Sequence, residues 1–147
     1  MLKVKRLNEY AKLPKRQTDG SAGYDIYSAE ECLIGPGEQK IISTGISIEL
    51  PICEIPNHIY SFQIISRSGL SAKYKIEKGA GLIDADYNGE IKVILYNYSK
   101  DDNVYKINIG DRIAQGIIVA VAIPQVMEVN EIKITDRGIG GFGSTGK

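Results

Sequence analysis

Short segments rich in β-branched and aromatic residues recur along this chain, and their spacing constrains the fold more than any other feature. They occupy residues 39–50, 59–65, 90–98, 105–109 and 113–123. Proline, glycine, asparagine and aspartate separate them, as at Gly35-Pro36-Gly37 and Asn88-Gly89, and such residues are typical of turns. Strands of this length at short intervals predict an all-β sandwich or barrel.

Helix is nearly absent from this pattern. The one candidate is a short turn at 70–74, after Ser68-Gly69. The stretch 113–123 is apolar on both faces except for Gln115, which predicts a strand covered on both sides, by this chain or by another subunit. At 147 residues the chain is expected to form one domain with a substantial core.

The composition argues against several classes of protein. Lys and Arg number 18, as do Asp and Glu, and no basic block stands out, so a nucleic-acid polymer is a poor match as partner. Two cysteines and one histidine make neither a disulfide framework nor a zinc cluster. The N-terminus lacks the apolar core of a secretion signal, and no apolar run is long enough to span a bilayer. We therefore expect an intracellular protein, cytoplasmic with a nuclear location open, and no membrane partner.

Residues 137–147 combine a cation, an aromatic ring, five glycines and two adjacent hydroxyls. Glycine lets successive backbone N–H groups converge on phosphate oxygens, while Ser144 and Thr145 add donors and Phe142 offers a stacking face. A base and a phosphate fit that description. The alternative is a disordered terminus, which is what glycine-rich chain ends usually are.

The stretch 79–89 carries two carboxylates at alternate positions between glycines. In an extended backbone Asp84 and Asp86 point the same way, which is costly unless a cation or a hydrogen-bond donor faces them. An ordinary aspartate carboxylate is ionised at pH 7, and at this position it would orient and deprotonate a water beside a phosphate. The alternative is a turn whose carboxylates cap backbone N–H groups.

Three further groups suggest anion or metal chemistry. Arg67 lies where an apolar segment gives way to the helical candidate, and it would clamp an oxyanion unless the segment is a simple N-cap. Asp25 interrupts a strand-like run and is interpreted either as a carboxylate facing hydrated Mg²⁺ or as a turn aspartate. The adjacent Asp111 and Arg112 are interpreted as a structural ion pair.

Together these stretches resemble the five ordered motifs of the trimeric dUTP pyrophosphatase (dUTPase) family. The matching strings are AGYDIYSA at 22–29, SRSGLS at 66–71, GAGLIDADYNG at 79–89, GDRIAQ at 110–115 and RGIGGFGSTG at 137–146. Each string alone is weak, but five in order are specific. One departure is Ser66, which stands where the family usually has proline and which would loosen that turn.

The resemblance implies an architecture. Its fold class is all-β, a jelly-roll (β-clip) dUTPase-like barrel, assembled as a homotrimer with active sites between subunits and a flexible C-terminal arm. It divides the chain into a β-domain, 1–134, and a glycine-rich arm, 135–147, that closes over the active site.

The resemblance also implies roles for individual residues. Asp84 matches the aspartate that activates water, and Tyr87 matches the tyrosine beneath the deoxyribose, where a 2′-hydroxyl would clash. The remaining matches are the uracil-reading hairpin with Gly79, Gly81 and Ile83, a pocket edge at Lys92, triphosphate contacts at Arg67, Ser68, Gly69 and Gln115, and arm contacts at Arg137, Phe142, Gly143, Ser144 and Thr145.

The implied reaction is hydrolysis of dUTP to dUMP and pyrophosphate, which keeps uracil out of DNA and supplies dUMP for dTTP synthesis. Its cofactor is Mg²⁺, which Asp25 would hold through water. Two alternatives remain at this point. One is a dCTP deaminase-like or bifunctional relative, and the other is a catalytically silent module that binds dUTP or a protein partner.

Overall fold

A computed structural model describes residues 1–141, in which eleven strands and one seven-residue helix make up the regular structure. The elements in chain order are β1 (Lys3–Arg6), β2 (Tyr24–Tyr27), β3 (Cys32–Ile34), β4 (Gln39–Ser43), β5 (Ile46–Glu49), β6 (His58–Ile65), α1 (Ser68–Tyr74), β7 (Ile76–Lys78), β8 (Leu82–Ile83), β9 (Lys92–Asn97), β10 (Tyr105–Ile107) and β11 (Arg112–Ala122). The all-β prediction is confirmed.

The strands form four antiparallel sheets. The largest has the order β2-β11-β6-β8, and a second has the order β4-β9-β7. Two further pairs are β1 with β5 and β3 with β10. Each sheet has two open edges, so none closes on itself within residues 1–141.

The predicted segments agree well with the strands. The stretches 59–65 and 113–123 become β6 and β11, which pair from Gln115↔Ile65 to Ala122↔His58. The stretch 39–50 forms two strands, because Gly45 at φ 65° turns the chain between them. The predicted helical turn at 70–74 begins two residues earlier, at Ser68.

The core draws side chains from all four sheets and is built mainly from isoleucine. Its fully buried large side chains include Ile26, Ile42, Phe62, Ile64, Leu95 and Ile113. Alternate residues of β9 are buried, as expected for a strand that covers a core with one face. The two-sided burial expected for 113–123 is partial in the single chain, because residues 117–121 of β11 are only half-buried.

The segment after β11 contains no strand within the described residues and exposes large apolar side chains. Val126 is 100% exposed and Ile134 is 91% exposed. The described part of a single chain, residues 1–141, therefore leaves this segment largely without apolar cover. No helix in residues 1–141 is long and apolar enough to cross a membrane.

Candidate active site

Four of the predicted residues line one cavity of about 240 Å³, which we call the β8–β9 cavity. They are Gly81, Ile83, Tyr87 and Lys92. The rest of its lining comes from Ile41, Ala80, Leu82, Glu90 and Ile94. Its walls are mostly apolar with a few polar groups, which is the usual character of a small-molecule site.

Two glycines set one wall of the cavity by close backbone approach. The Gly79 amide donates to the Ile94 carbonyl at 2.8 Å, and the Gly81 carbonyl accepts from the Ile64 amide at 2.7 Å. A Cβ atom at Gly79 would lie 2.7 Å from the Ile94 side chain, and one at Gly81 would lie 2.7 Å from the Ile64 carbonyl oxygen. Larger residues would therefore push the segment away from β6 and β9.

The β8 strand lies at the edge of its sheet, so its outer side has no strand partner among residues 1–141. Residues directly opposite each other in an antiparallel pair of strands alternate between hydrogen-bonded and non-hydrogen-bonded positions. Gly81 is hydrogen-bonded to Ile64, so Ile83, which lies opposite Phe62, occupies the next hydrogen-bonded position. The N–H and C=O of Leu82 between them consequently face outward, where a planar base edge can pair with them.

Tyr87 and Asp84 belong to one turn beside this cavity. The Tyr87 amide donates to the Asp84 carbonyl at 3.2 Å, and the Tyr87 hydroxyl donates to the Glu90 carbonyl at 3.0 Å. The carboxylates of Asp84 and Asp86 are exposed, and neither accepts a hydrogen bond from residues 1–141. The alternative in which these carboxylates cap backbone N–H groups of a turn is therefore not observed, and the Asp84 carboxylate is open to water.

A second group, which we call the Asp25–Arg67 cluster, contains Asp25, Arg67 and Arg112. Asp25 is only 2% exposed, and its Oδ2 lies 3.1 Å from Arg112 Nη1 while its Oδ1 lies 3.5 Å from Arg67 Nε. Arg67 Nη1 also donates to the Arg112 carbonyl at 2.8 Å. These contacts fix the orientation of both guanidinium groups.

The expected Asp111–Arg112 ion pair was wrong. Arg112 pairs with Asp25, whereas Asp111 accepts hydrogen bonds from the Asn108 amide and side chain at 2.8 and 3.2 Å. Asp111 lies in the turn before β11 and its carboxylate binds back to Asn108, whereas Arg112 begins the strand that pairs with β2, so sequence adjacency did not bring these two side chains together.

The predicted phosphate residues adjoin the Asp25–Arg67 cluster. Arg67 is the N-cap of α1 and makes no side-chain cap hydrogen bond, so its guanidinium does not serve as a cap. Ser68 and Gly69 follow it and are exposed. Gln115 on the central strand β11 is directly opposite Asp25 on β2. The register therefore places Gln115 opposite the residue whose carboxylate is ion-paired with Arg67.

The cavity and the cluster are separate within one chain. No hydrogen bond or ion pair in residues 1–141 joins the side chains that line the β8–β9 cavity to those of the Asp25–Arg67 cluster. Arg137 is exposed and its Nε donates to the Gly140 carbonyl at 2.9 Å, within its own turn. The predicted residues Phe142, Gly143, Ser144 and Thr145 lie outside the described residues.

Glu90 is a charged cavity residue that sequence reasoning missed. Its carboxylate accepts hydrogen bonds from the Ser43 hydroxyl and from the Gly45 amide at 2.9 Å. Burial raises the pKa of Glu90, but these two bonds and the charge of Lys92 outweigh burial and hold the pKa below its ordinary value. The sequence shows only a charged residue before an apolar strand, which usually indicates a solvated position.

Asp25 fits a water-mediated role toward a metal ion. Arg112 donates to Oδ2, whereas Oδ1 has the longer ion pair with Arg67 and keeps lone pairs for a water molecule. Residues 1–141 contain no group of three or more His, Cys, Asp or Glu side chains that could hold a metal. Mg²⁺ commonly keeps several waters and is bound with substrate phosphates.

A dUTPase family model matches residues 9–146. This chain belongs to the dUTPase family. It is 45% identical to the deoxyuridine 5′-triphosphate nucleotidohydrolase of Nautilia profundicola, with 99% of each chain covered. It is 48% identical to the enzyme of the same name from fowlpox virus, covering 97% of this chain and 95% of the relative.

Solved dUTPase structures share this chain's fold. The dUTPase of Staphylococcus bacteriophage 80alpha with dUPNHPP is 31% identical, has a TM-score of 0.87, and is aligned over 100% of this chain and 99% of its own. A dUTPase variant from phage phi11 of S. aureus, described as coordinating a structural Mg(II) ion, is 29% identical with a TM-score of 0.79, over 90% of this chain and 99% of its own.

Proposed function

We propose that this dUTPase hydrolyses dUTP to dUMP and pyrophosphate, and thereby keeps uracil out of DNA and supplies dUMP for dTTP synthesis. The observation that carries the proposal is a base-sized cavity with an exposed carboxylate on the segment that lines it. The cavity is lined by Gly81, Ile83 and Tyr87, and Asp84 follows on the same segment. The relatives named for this activity match nearly the whole chain.

Base selection would come from the edge of β8. A donor and an acceptor of the 79–83 backbone would pair with uracil, whereas cytosine would present the opposite groups and leave buried polar atoms unpaired at a cost of about 1–3 kcal/mol. Close packing of Gly79 and Gly81 against Ile94 and Ile64 keeps that edge in place. Tyr87 would lie beneath the deoxyribose and exclude a 2′-hydroxyl.

Hydrolysis would begin with Asp84. Its carboxylate would orient a water molecule for in-line attack on the α-phosphorus and would accept the proton as the P–O bond forms. Arg67, Ser68, Gly69 and Gln115 would bind the triphosphate, with the guanidinium of Arg67 oriented by Asp25. Lys92 would mark the edge of the base cavity.

We further propose Mg²⁺ as the cofactor. Bound to the triphosphate, it would neutralise charge on the leaving pyrophosphate. Asp25 would hold it through water, using the Oδ1 lone pairs that Arg112 does not occupy.

The exposed apolar segment after β11 supports a homotrimer with intersubunit sites. Val126, Met127, Ile132 and Ile134 are each at least 81% exposed in the single chain, and exposed apolar surface of this kind marks a contact with another protein. A neighbouring subunit would also bring the Asp25–Arg67 cluster to the β8–β9 cavity, which a single chain does not join.

We propose that residues 1–134 form the β-domain and 135–147 the arm that closes over the site. Arg137, Gly143, Ser144 and Thr145 would then contact phosphates while Phe142 stacks on uracil, a contact typically contributing about 1–3 kcal/mol. Closure would exclude water and complete the charge clamp. Because the substrate is a free nucleotide, we propose an intracellular location, cytoplasmic or nuclear, with no nucleic-acid polymer as partner.

The test incubates the purified protein and its Asp84→Asn variant with Mg²⁺ and, separately, dUTP, dCTP, dTTP and UTP. We expect dUMP and pyrophosphate from dUTP alone, and a loss of at least about a hundredfold in kcat in the variant, since general-base catalysis contributes about that much. Asparagine has nearly the shape of aspartate, so binding of a non-hydrolysable dUTP analogue is expected to persist.

Two other outcomes would contradict the proposal. Conversion of dCTP to a uracil nucleotide would assign the chain to the deaminase branch, which its second and third motifs do not favour. Tight dUTP binding without product would indicate a silent binding module.

A further inference from the structure

We propose that Glu90 is a positioning residue that holds Tyr87 in place and so sharpens the rejection of ribonucleotides. This inference rests on the proposed function, in which Tyr87 lies beneath the deoxyribose. Glu90 lines the β8–β9 cavity together with Tyr87 and Lys92, and its side chain is 23% exposed. Its contacts connect the tyrosine to a part of the chain far away in sequence.

The Glu90 carboxylate is bound on both sides. Oε1 accepts hydrogen bonds from the Ser43 hydroxyl and from the Gly45 amide at 2.9 Å, and Oε2 lies 3.7 Å from Lys92 Nζ. Hydrogen bonds to an ionised group are stronger than those between neutral groups. The turn between β4 and β5 therefore anchors this side chain.

That turn is itself rigid. Gly45 has φ 65°, and a Cβ atom there would lie 2.8 Å from the Asn8 side chain and 2.9 Å from Ala11 Cβ, so a larger residue would not fit. The Thr44 hydroxyl donates to the Ile91 carbonyl, and the Ile91 amide donates to the Ile46 carbonyl at 2.8 Å. The backbone beside Glu90 is thus fastened to the same turn.

Tyr87 depends on this anchored backbone. Its hydroxyl donates to the Glu90 carbonyl at 3.0 Å, and a Cβ atom at Gly89 would lie 2.5 Å from Tyr87 Cζ, so the ring lies close over Gly89. If the Glu90 side chain were released, the acceptor of the tyrosine hydroxyl would gain freedom. The ring would then shift and leave space for a 2′-hydroxyl.

The experiment measures the ratio of kcat/KM for dUTP to that for UTP in Glu90→Ala, Glu90→Gln and Ser43→Ala variants. Glu90→Ala removes both hydrogen bonds of the carboxylate and so frees the backbone that holds Tyr87, and it is expected to lower the ratio about threefold to tenfold. Glu90→Gln keeps an oxygen that can accept from Ser43 and Gly45, so it is expected to restore most of the ratio. Ser43→Ala, which removes one donor outside the cavity, is expected to lie between them.

Tyr87→Phe tests the connection directly, because it removes the hydroxyl and keeps the ring. It is expected to lower the ratio as Glu90→Ala does, and the double variant is expected to add little, since both changes break the same link. Glu38→Ala is the matched control. Glu38 also accepts from a turn amide, that of Gly35 at 2.9 Å, and lies 3.9 Å from a lysine, Lys40, away from the cavity.

An unchanged dUTP-to-UTP ratio in Glu90→Ala and Ser43→Ala would overturn the inference, as would additive effects in the double variant. A general loss of kcat for both substrates with a constant ratio would likewise indicate a purely structural role. The proposed function fails in a different way, namely if the unmodified protein does not hydrolyse dUTP or does not prefer it over UTP.

Discussion

Ser66 shows how a single side chain alters the expectation drawn from a motif. The dUTPase family usually has proline at this position, and the absence of that proline was expected to loosen the turn before Arg67. In the structure the Ser66 hydroxyl donates to Glu77 Oε2 at 2.5 Å and accepts from the Lys78 amide at 3.1 Å, while the Ser71 hydroxyl donates to Glu77 Oε1. Hydrogen bonds therefore tie the turn to β7.

This network predicts a pH-dependent stability. Hydrogen bonds from Ser66 and then Ser71 lower the pKa of Glu77, more than burial raises it. A carboxyl group with a lowered folded-state pKa contributes stability above its unfolded-state pKa and loses it as the pH falls through the folded-state value. We expect Ser66→Ala to reduce the free energy of unfolding by about 1 kcal/mol at pH 7, and by less in acid.

Chemical denaturation at fixed protein concentration over a pH series would measure this effect, since the proposed subunit association would make stability concentration-dependent. Ser47→Ala is the control, because the Ser47 hydroxyl donates to a backbone carbonyl, that of Asn88, at 2.7 Å. The loss of unfolding free energy in Ser47→Ala should be the same at neutral and at acid pH. An equal loss at all pH values in Ser66→Ala would show that Glu77 is not the relevant partner.

At the scale of elements, the β6–β11 pair packs a large aromatic residue of β6 against a glycine of β11. Phe62 is fully buried, and a Cβ atom at Gly116 would lie 1.9 Å from its ring at Cζ. The two residues are diagonal neighbours across the strands, where Gly116 pairs with Ile64 and Phe62 pairs with Ile118. Gly116 is therefore required for close approach of the ring.

Gly116→Ala is expected to lower the free energy of unfolding by about 1–3 kcal/mol, because the added methyl group overpacks a core that cannot yield freely. Phe62→Leu should recover part of the loss in the double variant, since a smaller side chain makes room. Gly20→Ala is the control, because a Cβ atom there meets nothing within 4 Å. Additive effects of the two core substitutions in thermal unfolding would contradict this packing explanation.

At the scale of the whole molecule, the single chain leaves apolar residues uncovered and two groups of predicted site residues unjoined. Apolar exposure continues from Ile123 through Val126 and Ile134 to Ile139. The proposed trimer would bury part of this surface and complete the sites, while the proposed arm, 135–147, would serve catalysis more than folding.

A chain ending at Ile134 separates these roles. It is expected to remain folded and, as proposed, trimeric, but to lose at least about a hundredfold in kcat/KM for dUTP, because the phosphate and stacking contacts proposed for the arm would be removed. Sedimentation equilibrium should give the unmodified protein a mass three times 16.1 kDa. A monomeric truncated chain would show that the arm is needed for assembly, and full activity would exclude its catalytic role.

The local pattern of the sequence determined the class of fold and the candidate chemistry. β-branched runs between turn residues predicted six of the eleven strands, β4, β5, β6, β9, β10 and β11, within a few residues of their observed ends, since both signals act over short distances. The motifs around Asp84 and Arg67 are likewise contiguous in sequence, so they could be recognised without the structure. The prediction of four cavity residues depended on the same short stretch, 79–92.

Only the tertiary structure decided which distant residues meet. Arg112 and Asp25 are 87 positions apart and Ser43 and Glu90 are 47 apart, so no local pattern links them. The contact of Phe62 with Gly116 likewise requires the register of two paired strands. Such contacts depend on how the sheets fold against one another, because packing and hydrogen bonding in three dimensions, rather than proximity along the chain, select the partner of a buried group.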